Sequence, residues 1–103
     1  MIIFVPMVII TKTKIISFYE TDTKAKEPLL SWYNKVLLSD WRDFHSIKQI
    51  FNSTDSVGND RYVFNIGGNK YRVVAMIHFS TRTVYLKFVG THKQYDKIDC
   101  KTI

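Results

Sequence analysis

One cysteine, two prolines and four glycines in 103 residues leave few devices for cross-linking or breaking this chain. The lone Cys100 excludes an internal disulfide framework and a multi-cysteine zinc site, and it fits a reducing compartment. No Pro/Gly/Ser-rich linker, internal repeat or low-complexity stretch divides the sequence. No apolar run reaches the about 20 residues of a membrane span: MIIFVPMVII is cut off by Lys12 and Lys14. That run also lacks the leading positive charge and small-residue cleavage site of a secretory signal. It reads as a buried first strand beginning at Met7, because Pro6 would interrupt a hydrogen-bonded ladder. Residues 1–6 then read as extra upstream sequence. Acidic residues are scarce as well, nine against 15 Lys+Arg, for a net charge of +6.

Hydrophobic residues make up 46% of the chain and aromatics 15%, which excludes disorder. The length suits one domain over residues 1–103, able to bury about two thirds of its unfolded surface. Charge divides the chain: residues 1–57 carry seven Lys/Arg and six Asp/Glu, residues 58–103 eight and three. Periodicity divides it at the same place. A helix is expected over Lys12 to Thr21. A clearer one places Leu29, Trp32, Tyr33, Val36 and Leu37 on one face, with Pro28 in its first turn. Asp40 is expected to cap a short helix through Trp41, Phe44, Ile47 and Phe51, followed by a loop at 52–56. From Arg61 the period becomes two. Tyr62, Phe64 and Ile66 form one apolar face, Tyr71 to Phe79 another, and residues 84–89 a central strand. The order β-α-α-β-β-β predicts an α+β fold, a small antiparallel sheet with the N-terminal helices on one face.

Turn chemistry then predicts which side chains meet. A two-residue turn at Thr81-Arg82 pairs Ala75 with Phe88 and Arg72 with Thr91; one at Gly67-Gly68 pairs Asn65 with Lys70 and Val63 with Arg72. Asn65, Lys70, Arg72, His92, Lys93 and Tyr95 gather at one end of the sheet in this register. These residue types suit metal-free RNA cleavage. The 2′-OH attacks the adjacent phosphate, so one group must take its proton, another must protonate the leaving 5′-oxygen, and a fixed cation must hold the phosphate. His and Tyr can move protons, and Arg binds phosphate oxygens through a permanently charged fork. His45, His78 and His92 show no metal-ligand spacing. Taken singly, Lys70, Lys87 and Lys93 are ordinary solubilising charges, His45 and His78 surface or structural groups, and Trp32, Tyr33 and Trp41 core. Asp96 reads as a cap for a terminal turn, and Cys100 has no assigned role.

Two strings carry a family resemblance. VFNIGGNKYRVVAMIHF (Val63–Phe79) and FVGTHKQYDKID (Phe88–Asp99) resemble the HigB family of type II toxins, and Trp32–Phe51 is similar to that family's helical half. HigB toxins belong to the RelE-like superfamily, whose members pack N-terminal helices on a small sheet and cleave mRNA, often on the translating ribosome. The resemblance therefore implies a cytoplasmic mRNA endonuclease that needs neither metal nor cofactor and leaves a 2′,3′-cyclic phosphate and a 5′-hydroxyl. It also implies mRNA, the ribosome and a HigA-type helix-turn-helix antitoxin as partners, with no membrane. Residue by residue, it makes Arg72 the phosphate ligand and His92 and Tyr95 the proton-handling or base-stacking pair. Asn65, Lys70, Lys87 and Lys93 are the expected RNA-binding residues, although Asn65 stands where some relatives have lysine. Two alternatives share these features: a non-catalytic RNA- or ribosome-binding module, and a gyrase inhibitor of the ParE kind on the same fold.

Overall fold

The two periodicities resolve, in a computed structural model of the chain, into ten elements. These are β1 (Val8–Ile10), α1 (Thr13–Thr21), a 3-10 turn (Thr23–Ala25), α2 (Lys26–Leu37), α3 (Phe44–Ile50), β2 (Asp55–Gly58), β3 (Arg61–Ile66), β4 (Tyr71–His78), β5 (Thr83–Thr91) and α4 (His92–Tyr95). The structure describes residues 7–103, so the reading of residues 1–6 as upstream sequence lies outside it. The fold is α+β, with one five-stranded sheet ordered β1-β5-β4-β3-β2.

The sheet is mixed rather than wholly antiparallel. Strands β2 to β5 form the expected antiparallel meander, but β1 joins β5 in parallel, Val8 opposite Thr83 and Ile10 opposite Tyr85. The chain leaves β1 through three helices, a crossover long enough to bring β5 back in the same direction. β1 is not the buried strand the sequence suggests. It lies at the sheet edge with Met7 buried but Val8 and Ile10 53% and 41% exposed. β2 occupies part of the segment expected to be loop.

The helices cover one face of the sheet. α2 buries Leu29, Trp32 and Val36, as their spacing predicts. Trp32, Trp41 and Phe51 surround Phe64 of β3, with ring centroids 5.1, 5.9 and 5.6 Å from it. Such rings each contribute about 1.5–3 kcal/mol on burial. Tyr71 of β4 packs edge-on against Phe18 of α1 and donates a hydrogen bond to Asp22 Oδ1 at 3.1 Å. The cap of α3 is Asp43, not Asp40. The Asp43 carboxylate accepts from the Ser46 backbone N–H at 2.9 Å, which holds its pKa below the usual value. Asp40 instead pairs with Arg82 and Arg42, because Trp41 is drawn into the core before the helix starts.

Two departures from the expected register decide what faces outward. The β3–β4 connection has four residues, Gly67 to Lys70, so Asn65 lies opposite Arg72 rather than Lys70. Gly67, Gly68 and Asn69 all adopt positive φ, 62°, 63° and 77°, a succession that a plain two-residue turn does not provide. On the other side of β4, Val74 pairs with Phe88 and Ala75 with Leu86, leaving Lys87 as the extra residue of a bulge. The bulge reverses the alternation of β5. Leu86 points into the helical core and Phe88 to the opposite face, whereas a regular strand would send both inward. Arg72 therefore faces Gly90, not Thr91.

The outer face is itself partly covered. Val63 and Val74 are buried but belong outside the helix-facing core cluster. The segment after α4 returns across this face. Its far end is tied down where Arg61 Nη2 donates to Ile103 O at 2.6 Å and Asn59 Nδ2 to Lys101 O at 3.0 Å.

Candidate active site

Arg72 stands near the end of the sheet where β3, β4 and β5 meet the start of α4. Its Nη1 donates to the carbonyls of Asn69 and Tyr71 at 3.1 and 3.3 Å. Its guanidinium carbon lies 5.8 Å from the centre of the Tyr95 ring, a cation–π distance. One side of the fork is thus fixed by the protein. Nη2 and Nε have no hydrogen-bond partner among the described residues and are available to an oxyanion. The positive-φ loop is what brings the Asn69 carbonyl back to Arg72.

Tyr95 rests on the ring that the bulge turned outward: the Phe88 and Tyr95 centroids are 6.5 Å apart. The Tyr95 hydroxyl donates to Cys100 Sγ at 3.5 Å. Burial, then the contact with Cys100, pushes the Tyr95 pKa up to about 12, with Arg72 pulling the other way. At neutral pH the phenol keeps its proton, so it can donate a hydrogen bond or stack on a base but cannot serve as a base.

His92 opens α4. Thr91 caps this short helix with a complete capping box: its hydroxyl accepts from the Gln94 N–H at 3.2 Å, and Gln94 Oε1 accepts from the Thr91 N–H at 2.8 Å. The His92 backbone N–H donates to Lys70 O at 3.2 Å, which ties α4 to the β3–β4 loop. The ring is half exposed, and Nδ1 lies 3.1 Å from Asp96 Oδ2. A carboxylate can only accept, so Nδ1 carries the hydrogen and Nε2 is left free as a base. His92 and Asp96 are four residues apart, a spacing that places both on one side of a helical turn. Asp96 is therefore more than a cap for the terminal turn.

Of the residues expected from sequence, Arg72 and Tyr95 come together here, and His92 and Lys70 are joined through their backbones beside them. Asn65 adjoins them, but its Nδ2 donates to Ser53 O at 3.0 Å, which anchors the loop before β2. Lys93 is exposed on α4. Lys87 does not join them. As the extra residue of the bulge it lines a groove between α1 and β5, on the far side of Phe88. Phe88 and Asp96 were missed as site residues. The i, i+4 spacing of His92 and Asp96 was a usable signal, whereas nothing in the sequence marks the bulge that exposes Phe88. Gly90 matters here for its size rather than for backbone freedom. Its φ is ordinary, but a Cβ there would lie 2.5 Å from Phe88 Cζ and 2.7 Å from Gln94 Oε1. The residue is small because ring and cap close over it.

Residues 25–98 match the sequence model of a family described as HigB_toxin, the RelE-like toxic component of a toxin-antitoxin system. The chain belongs to this family. It is 35% identical over 92 residues to the mRNA interferase toxin HigB of Escherichia coli strain K12, covering 87% of this chain and 88% of that protein. The same figures hold for the mRNA interferase HigB of Shigella flexneri. The expected family and its helix-on-sheet fold thus stand, and the cluster around Arg72 lies almost wholly within the matched residues. Among the described residues, no helix of this HigB-family chain is long and apolar enough to cross a membrane. Nor does any group of three or more His, Cys, Asp or Glu among them form a metal-ligand cluster.

Proposed function

We propose that this toxin is an mRNA interferase whose endonuclease site is the Arg72–Tyr95–His92 cluster. The observation that carries this reading is the half-committed guanidinium of Arg72. It is held on one side by two carbonyls and lies against the Tyr95 ring, with two donor nitrogens that have no partner among the described residues. A scissile phosphate bound there would be gripped by charge-assisted hydrogen bonds that strengthen as charge accumulates on it. His92, oriented by Asp96, takes the proton of the 2′-OH through Nε2. The 2′-oxygen attacks phosphorus and the P–O5′ bond breaks. The 5′-oxygen receives, through solvent, the proton that His92 took up, and the products are a 2′,3′-cyclic phosphate and a 5′-hydroxyl. Tyr95, protonated at neutral pH, turns its hydroxyl from Cys100 Sγ to the phosphate or stacks on the neighbouring base. Lys70 and Lys93 add cations beside the bound strand.

The names of the relatives support mRNA as substrate, and the net charge of +6 suits a polyanionic ribosomal surface. Ribosome-dependent action in the cytoplasm and silencing by a co-encoded helix-turn-helix antitoxin complete the proposal. The test is to map cleavage in cellular mRNA after brief induction of the parent and of Arg72→Ala. Cuts ending in cyclic phosphate with the parent, and none with a folded Arg72→Ala protein, are expected. Equal cleavage by the two proteins overturns the site.

A further inference from the structure

The groove that holds Lys87 has no part in the chemistry above, yet it carries two lysines. It encloses about 490 Å³ between α1 and β5. Thr13, Ser17 and Thr21 recur every fourth residue along the side of α1 that faces it, and Lys14 joins them. Lys87, Phe88 and Val89 of the bulged strand form the other wall, and no carboxylate among the described residues lines it. Strand β1 pairs with β5 only as far as Ile10 and Tyr85. Beyond that point β5 has a hydrogen-bonded neighbour on the β4 side alone, which is why the groove exists.

We infer that this groove binds the ribose–phosphate backbone of single-stranded RNA flanking the scissile bond. The inference rests on the endonuclease reading for its orientation. Lys14 and Lys87 supply the cations, the hydroxyls of Thr13, Ser17 and Thr21 supply donors to phosphate oxygens, and Phe88 supplies an apolar wall. A groove of hydroxyls and lysines without acidic groups matches a polyanion with repeating phosphates. Continuity gives it a direction. Phe88 forms one wall of the groove and also lies under Tyr95, whose ring packs against Arg72. A strand leaving the phosphate at Arg72 over the edge of β5 therefore enters the groove. The bulge at Lys87 serves both places at once, turning Phe88 beneath Tyr95 and Lys87 toward the strand beyond it.

The test is binding of a fluorescein-labelled, fully 2′-O-methylated RNA oligonucleotide by anisotropy over a salt series. That probe has no attacking hydroxyl, so binding is read without cleavage. Failure of the endonuclease reading would appear in the mRNA mapping and not here. Each phosphate neutralised on a single strand contributes about 0.7 to the slope of log K against log salt. The Lys14→Ala/Lys87→Ala protein should therefore lose about 1.4 from the parental slope. Ser17→Asp, which adds a negative charge in the groove without removing a lysine, should weaken binding at low salt. Lys24→Ala/Lys35→Ala, which removes the same charge elsewhere, should keep the parental slope. The inference is overturned if the parent shows no salt-dependent binding, if the Lys14/Lys87 variant keeps the parental slope, or if the control pair loses as much. A kept slope would leave the unpaired edge of β5 to a protein strand.

Discussion

Replacing Gly90 with alanine asks whether the site depends on the packing that closes over this residue. The added Cβ would meet Phe88 Cζ at 2.5 Å and Gln94 Oε1 at 2.7 Å, both closer than carbon tolerates. Two responses are open. The Phe88 ring can tilt away, which moves the support of Tyr95, or Gln94 can swing out, which gives up its hydrogen bond to the Thr91 N–H at 2.8 Å. Overpacking of this kind costs about 1–3 kcal/mol, and the lost hydrogen bond about 0.5–1.5 kcal/mol. Taking about 2 kcal/mol in all, the melting temperature should fall by roughly 8–16 °C in a domain of this size. A typical stability of about 5–15 kcal/mol leaves the variant folded. Catalysis should suffer more than folding. Tyr95 packs against Arg72, and His92 and Gln94 share α4, so either response displaces groups whose misplacement by about 1 Å can cost on the order of 100-fold in rate. Calorimetry and single-turnover cleavage on programmed ribosomes, at a temperature where the variant is fully folded, give the two numbers. A Gly90→Ala protein that melts and cleaves like the parent would show that ring and cap do not close over position 90.

The other expectations concern single groups. Arg72→Lys should be only partly active in growth arrest, since an ammonium cannot supply the two-pronged contact; full arrest would contradict the phosphate role. His92→Gln should lower single-turnover cleavage by on the order of 100-fold or more with little change in ribosome affinity, and Asp96→Asn should give a smaller loss with a shifted pH–rate profile. A parental rate in His92→Gln removes the ring from the mechanism. Tyr95 has its folded pKa raised from 10.0 to about 12, so the stability it contributes is fully present below pH 10.0 and is lost as pH rises through about 12. Tyr95→Phe should flatten that alkaline loss in urea midpoints, and an unchanged pH dependence would refute the buried-phenol account. Asp43, with its pKa held below the ordinary carboxyl value of 3.8 by the Ser46 hydrogen bonds, acts in the opposite sense. Its capping contribution is present above pH 3.8 and lost as pH falls through the lower folded value, so the Tm gap between parent and Asp43→Ala should close in acid.

Local chemistry determined much of this protein from sequence alone. The i, i+3, i+4 spacing around Trp32 specifies a buried helical face without reference to the rest of the chain. The alternation from Arg61 onward specifies strands, and the strings around Arg72 and His92 carry the family. Arg72, His92 and Tyr95 could be singled out because residue type and nearness to a turn are local properties. Tertiary structure decided which neighbours they meet. Register is a long-range quantity: one extra residue at Lys87 inverts every later side chain of β5, and no local preference signals it. That inversion puts Phe88 rather than Val89 beneath Tyr95 and leaves Lys87, an expected RNA-binding residue, in the groove beside α1. The parallel pairing of β1 and its exposed edge likewise depend on where three helices deliver the chain. The raised pKa of Tyr95 depends on Cys100 and on burial at the end of β5. A sequence names the groups able to move a proton, but their surroundings, set only when distant segments pack, decide which of them can act as a base.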